Sequence, residues 1–211
     1  ARNADKLLAL NISEALILPC DATDVASLAT ARDNLLLAWQ GVDLVIYLAG
    51  DYQPMRADDF DLARAERIIE VNFLAAMRLT ASVLPNLKAG GGIAFVASVA
   101  GYRGLPKALA YGPGKAALIH FAEVLHLDLS PKNIGVWVIN PGFVATQLTA
   151  QNDFTMPALM TPEAAAIATV DGLKRGNFEI HFPKRFTLFM KFMALLPYRL
   201  YFPFIRRTTG G

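Results

Sequence analysis

A doubly wound α/β fold, with helices on both faces of a parallel sheet, is predicted for these 211 residues by three features. Short apolar runs alternate with helical stretches along the chain. The runs are largely apolar without strict alternation, as suits strands covered on both faces. Asp21, Gly50, Ser98 and Asn140 fall at the ends of these runs, and ligands of open α/β sheets collect outside the carboxyl ends of strands.

In order, the predicted strands are Ala15–Cys20 (ALILPC), Val42–Leu48 (VDLVIYL), Gly92–Ser98 (GIAFVAS), Ile134–Asn140 (IGVWVIN) and a last one over Phe178–Pro183. Helices fall at about Val25–Trp39, Asp58–Leu87 and Ala108–Ser130. Another starts at Thr161-Pro162-Glu163, with Thr161 as N-cap, Pro162 at the first helical position and Glu163 complementing the helix dipole. No repeat or low-complexity tract interrupts the pattern, so residues 1–211 read as one domain ending in an aromatic and basic segment, 178–211.

Hydrophobic residues make up 54% of the chain and charged residues 18%, which excludes a disordered chain and provides one substantial core. A net charge of +2 argues against nucleic-acid binding. The charge is uneven: from Lys174 onward eight Lys/Arg face Glu179 alone, whereas the preceding residues carry twelve basic and seventeen acidic side chains. Cys20 is the only cysteine, which excludes an intrachain disulfide and suits a reducing compartment. The opening Ala1-Arg2-Asn3-Ala4-Asp5 does not read as a signal peptide, and no apolar run approaches the ~18 residues needed to span a bilayer. The expectation is a cytoplasmic protein, with membrane-surface contact open for its C-terminal segment. His120, His126 and His181 show no metal-ligand spacing, so no metal is expected, and Trp39 and Trp137 read as core.

Two helices are apolar nearly all round. The first carries Ile68, Ile69, Val71, Phe73, Leu74, Met77 and Leu79; the second carries Leu118, Ile119, Phe121, Val124, Leu125, Leu127 and Leu129. One apolar stripe suffices to cover a sheet. The surplus predicts a homodimer or homotetramer, burial under the chain's own C-terminal segment being the alternative.

The chemistry concentrates in Ser98, Tyr111 and Lys115. Helix positions four apart share a face, so the Lys115 ammonium is expected beside the Tyr111 phenol, lowering a pKa that starts near ~10. A hydroxyl on a neighbouring strand end holds a substrate oxygen while the phenol donates or removes a proton. That set suits carbonyl reduction or alcohol oxidation, with the hydride supplied by a cofactor.

With these residues in view, almost the whole chain resembles the short-chain dehydrogenase/reductase family. Cys20-Asp21-Ala22-Thr23-Asp24 resembles the acidic turn at the adenine end of the cofactor, and Leu48-Ala49-Gly50 falls where the family has Asn-Ala-Gly. Asn72 precedes Ser98 as the family's fourth catalytic residue does, and Asn140-Pro141-Gly142-Phe143-Val144-Ala145-Thr146 resembles the segment that wraps the nicotinamide.

The resemblance implies a Rossmann-like three-layer sandwich and catalytic roles for Asn72, Ser98, Tyr111 and Lys115. It implies cofactor contacts from Arg2, Asp21, Ala22, Ala49, Gly50, Tyr111, Lys115, Pro141, Gly142, Val144 and Thr146. Arg2, after the family's second strand, suggests NADP(H) over NAD(H). The small-molecule partner is a ketone, aldehyde or matching alcohol, apolar in view of the aromatic C-terminal segment. The family's Gly-rich strand–helix–strand unit, roughly 30 residues, is expected to precede residue 1, and Leu48 in place of Asn should weaken cofactor positioning. Two alternatives remain beside the enzyme: an idle cofactor-binding scaffold and a nucleotide-sugar epimerase or dehydratase, for which the residues after Thr146 are too few.

For the C-terminal segment three readings stay open: core packing with subunit contact, a lid over a lipid-like substrate, and contact with an anionic membrane surface.

Overall fold

The structure, a computed structural model, describes residues 2–209. Among these, β1 (Val42–Tyr47), β2 (Leu87–Val96), β3 (Gly135–Pro141) and β4 (Glu179–Phe182) form one parallel sheet in sequence order. The helices are α1 (Ala4–Leu8), α2 (Val25–Ala38), α3 (Leu62–Ile69), α4 (Ala75–Val83), α5 (Tyr111–Leu129), α6 (Pro162–Arg175), α7 (Lys184–Leu195) and α8 (Tyr198–Thr209). Parallel neighbours need crossovers, and each one here carries helix.

The strand pleat assigns the two cores. Ile93, Phe95, Val136 and Val138 face Ala75, Ala76, Leu118 and Ala122 of α4 and α5. The alternate residues Ala94 and Ile139, with Ile180 and Phe182, face Ala165 of α6. Register supports this, since Ile93 pairs with Val45 and Val136, and Ile139 with Ile180. Helix ends follow local chemistry: Thr161 Oγ1 accepts from the Ala164 N–H at 3.2 Å with Pro162 at the first helical position, and Gly176, at φ +72°, closes α6 in the left-handed region.

Three expectations are corrected. Ala15–Cys20 belongs to no strand among the described residues, because a strand needs a neighbour for its backbone groups and the sheet runs only from β1 to β4. Asp21 therefore sits in a turn ahead of α2 and not at a sheet edge. Trp39 is 48% exposed at the end of α2, whereas Trp137 packs beside Ile139. The run Leu62–Asn86, charges included, forms one continuous helix apolar enough to cross a bilayer by length and composition, with 28% of its most apolar stretch buried. Here it is a core helix packed on α5, its outer side uncovered.

That long helix is interrupted by a π turn, Glu70–Leu74, where the Ala75 N–H reaches back five residues to the Glu70 carbonyl. On the C-terminal side, α7 follows the predicted spacing, while α8, with Pro203 inside it, was not anticipated. Arg103 fastens the corner between them. Its guanidinium donates to the carbonyls of Ala194 (2.7 Å) and Leu196 and lies 4.5 and 4.2 Å from the ring centres of Tyr198 and Tyr201.

Candidate active site

Because the strands are parallel, their C-terminal ends share one edge, and Gly50, Ser98 and Asn140–Gly142 lie there. Ser98 is extended and caps the short turn Val99–Gly101, its Oγ accepting the Ala100 N–H at 3.1 Å. Tyr111 opens α5. Pro113 is accommodated in the first turn, where an N–H would lack a helical partner. One turn on, Lys115 is 3% exposed and donates Nζ–H to the Val96 carbonyl at 2.8 Å. Its Nζ lies 5.6 Å from the Tyr111 ring centre.

Asn72 reaches the same place from the π turn. Its Nδ2 donates to the carbonyls of Ile68 (2.9 Å) and Asp51 (2.6 Å), and its Oδ1 accepts the Asp51 N–H at 3.3 Å. The side chain is fully buried and pins the loop after β1. Gly50 leaves this place open: a Cβ there would stand 3.3 Å from Asn72 Oδ1 and 3.7 Å from Lys115 Nζ. The bare backbone beside an ammonium and an amide fits the close approach of a sugar hydroxyl edge.

The electrostatics differ from the sequence expectation. Burial pushes the Tyr111 phenol up to about 12, the Ser98 hydroxyl only partly offsetting it. Burial also draws Lys115 down to about 7. The lysine thus holds a partial charge at neutral pH and donates to a carbonyl, so it does not depress the phenol here.

The other predicted residues form two groups. Asp21 Oδ1 accepts from the backbone N–H and hydroxyl of Thr23, at 2.9 and 2.7 Å, which holds its carboxyl below the usual range. Arg2 lies 3.7 Å from Asp21, and Ala22 touches the core beneath. Pro141, Gly142, Val144 and Thr146 form the loop after β3, where the Gly142 N–H donates to Phe182 at 2.7 Å and the Thr146 N–H to Thr149 Oγ1 at 3.0 Å. Ala49 and Leu48 are exposed beside Gly50.

Asp51, Tyr52, Arg64 and Phe154, unanticipated from the sequence, lie beside these residues. The Tyr52 ring meets Tyr111 edge-on at 4.9 Å, and its hydroxyl donates to Asn152 Oδ1 at 2.7 Å. Arg64 grips Asp51 with two hydrogen bonds of 2.8 and 2.6 Å. Phe143 touches both Phe154 and Phe186, at 5.7 and 5.6 Å between ring centres. Only the position of Asp51 and Tyr52 directly after Leu48-Ala49-Gly50 could have flagged them.

The family model for short chain dehydrogenases matches residues 1–156. An uncharacterized oxidoreductase from Myxococcus xanthus is 36% identical over 169 residues, covering 79% of this chain and 67% of the relative. The 3-ketodihydrosphingosine reductase of Bos taurus is 28% identical over 201 residues, 84% of this chain and 60% of that one. The chain thus spans about two thirds of the length of these curated relatives. A short-chain dehydrogenase from Sphingobium yanoikuyae, solved in complex with NADPH, superposes with a TM-score of 0.76 at 27% identity, over 87% of this chain and 76% of its own. The matching family model and the Myxococcus xanthus relative show that the chain belongs to the short-chain dehydrogenase family.

Proposed function

We propose that this chain serves hydride exchange between a nicotinamide cofactor, NADP(H) over NAD(H), and an apolar ketone or aldehyde or the matching alcohol. The carrying observation is that Asn72 and Lys115 stand beside the Gly50 backbone while Tyr111, one turn before Lys115, meets the Ser98 hydroxyl. When bound, the nicotinamide supplies or accepts the hydride. Tyr111 passes the proton at the substrate oxygen, and a phenol pushed up to about 12 carries that proton at neutral pH, the form that serves reduction. Ser98 holds the same oxygen and steadies its growing charge. Lys115 would hold the nicotinamide ribose by donating from Nζ, Gly50 would leave room for it, and Asn72 keeps the Asp51 backbone in place.

Preference for NADP(H) is supported by the exposed Arg2 guanidinium beside the Asp21 turn and by the NADPH complex of the Sphingobium yanoikuyae relative. An apolar carbonyl substrate is supported by Tyr52, Phe143, Phe154 and Phe186. A relative that is a reductase of 3-ketodihydrosphingosine points the same way. The outward Met77, Val124 and Leu127 of α4 and α5 support a homo-oligomer built on that face.

The test follows reduced-nicotinamide absorbance with the full-length protein, both nucleotides and carbonyls from short ketones to long acyl chains. Tyr111→Phe should lose on the order of a hundredfold or more in turnover, with NADPH binding nearly unchanged. Undiminished turnover in that variant removes Tyr111 from its role.

A further inference from the structure

The hairpin of α7 and α8 presents large apolar side chains outward. Leu195 is 84% exposed, Tyr198 67% and Phe192 60%, with Leu188, Phe189 and Phe202 also exposed. Exposed apolar residues scattered singly need no explanation, but a contiguous set does. Leu188, Phe192 and Leu195 follow helical spacing on α7, and Tyr198 stacks on Phe202 at 5.3 Å one turn along α8. A contact between Phe189 and Phe204, 6.1 Å between ring centres, joins the two helices into one surface.

The charges on this surface are of one sign. From Lys184 to Thr209 there are six cations (Lys184, Arg185, Lys191, Arg199, Arg206, Arg207) and no Asp or Glu. Lys191 is paired with Glu179; the other five make no ion pair among the described residues. Lys184 and Arg185 lead the exposed face of α7, and Arg206 and Arg207 close α8.

We propose that this hairpin docks on an anionic lipid bilayer, its aromatic and aliphatic side chains entering the headgroup–acyl boundary while the arginines and lysines meet lipid phosphate and carboxylate groups. Side chains of this kind suit that boundary, having apolar stems and charged or polar tips. A second copy of the chain fits the face poorly, because a twofold contact brings the same cations together. Arg103 and the Tyr201 hydroxyl, which donates to Gly104 at 2.6 Å, tie the hairpin to the segment between Ser98 and Tyr111. Membrane docking does not depend on the catalytic reading.

The experiment is sedimentation of the full chain with vesicles of phosphatidylcholine, alone or mixed with phosphatidylserine. Expected is co-sedimentation with the mixed vesicles at low salt, released as salt rises. Arg206→Ala with Arg207→Ala should weaken partition roughly thirtyfold, about fivefold per cation. Leu195→Ser should weaken it too, with the melting temperature unchanged because the side chain is already in water. A wild-type chain that stays in the supernatant with anionic vesicles at low salt overturns the proposal. So does equal partition of wild type and the double variant, or self-association abolished by Leu195→Ser without any vesicle binding.

Discussion

Asn140 donates from Nδ2 to Glu179 Oε1 across 2.8 Å, coupling the end of β3 to the start of β4. The same carboxylate receives the Tyr102 hydroxyl at 2.5 Å and the Lys191 ammonium from α7. One acid thus holds together the loop after Ser98, the approach to Pro141-Gly142, and the C-terminal hairpin.

Burial of Glu179 works against its charge, but Lys191, Tyr102 and Asn140 outweigh it and lower the pKa below the usual 4.5. A lowered carboxylate pKa contributes stability above the unfolded value and loses it as pH falls through the folded one. Glu179→Gln should therefore cost about 1–3 kcal/mol at neutral pH. The gap to wild type should close in urea titrations below about pH 4; a gap independent of pH would show that charge is not the cause.

Lys115 runs in the opposite direction. Burial draws it from 10.5 to about 7, so between these values the unfolded chain binds more protons than the folded one. Stability should rise with pH across that window. Melting temperatures from pH 7.5 to 9.5, below the range where Tyr111 and Tyr102 titrate, should climb in the wild type and flatten in Lys115→Met. The variant should also melt higher at pH 7.5 while losing nucleotide binding and turnover.

Asn72→Ala removes a side-chain partner from the Asp51 carbonyl and N–H, and an additional donor from the helical Ile68 carbonyl. Each buried group left unpaired costs about 1–3 kcal/mol. Chemical denaturation should show a loss of at least about 2 kcal/mol, together with faster amide exchange at Asp51 and Tyr52. Unchanged exchange there would mean that the loop does not depend on Asn72.

For Arg2, removal of the guanidinium should discriminate between the nucleotides. Arg2→Ala is expected to weaken NADPH about tenfold, one charge-assisted hydrogen bond, and NADH hardly at all. Titrations by quenching of protein fluorescence would measure both, and equal losses would take Arg2 away from the 2′-phosphate.

Much of the sheet was legible because β1, β3 and the second half of β2 are largely apolar runs of strand length, whereas the Lys88–Gly91 start of β2 has no such signal; Thr161 with Pro162 marks a helix start locally. Ala15–Cys20 has the same composition and failed as a strand, since pairing depends on a neighbour and not on the run itself. Ser98, Tyr111 and Lys115 were legible through spacing on one helix and one strand end. Their pKa values were not, because burial, a property of the packed fold, outweighs the neighbouring charge. Tyr52 and the Glu179 cluster escaped for a related reason: their partners Asn152, Tyr102 and Asn140 are distant in sequence.

The wide turn at Glu70–Leu74 makes the long helix sensitive to length as well as to composition. Each helical residue contributes about 100° of rotation, and the extra residue here resets the phase between the part carrying Ala65 and Ile68 and the part carrying Ala75, Ala76 and Thr80. Shortening this stretch by one amino acid would permit an uninterrupted α-helix that is locally more regular. Asn72 would then swing off the Asp51 loop, or the following turns would rotate their small side chains out of the sheet. Regular winding and an intact pocket are mutually exclusive in this helix.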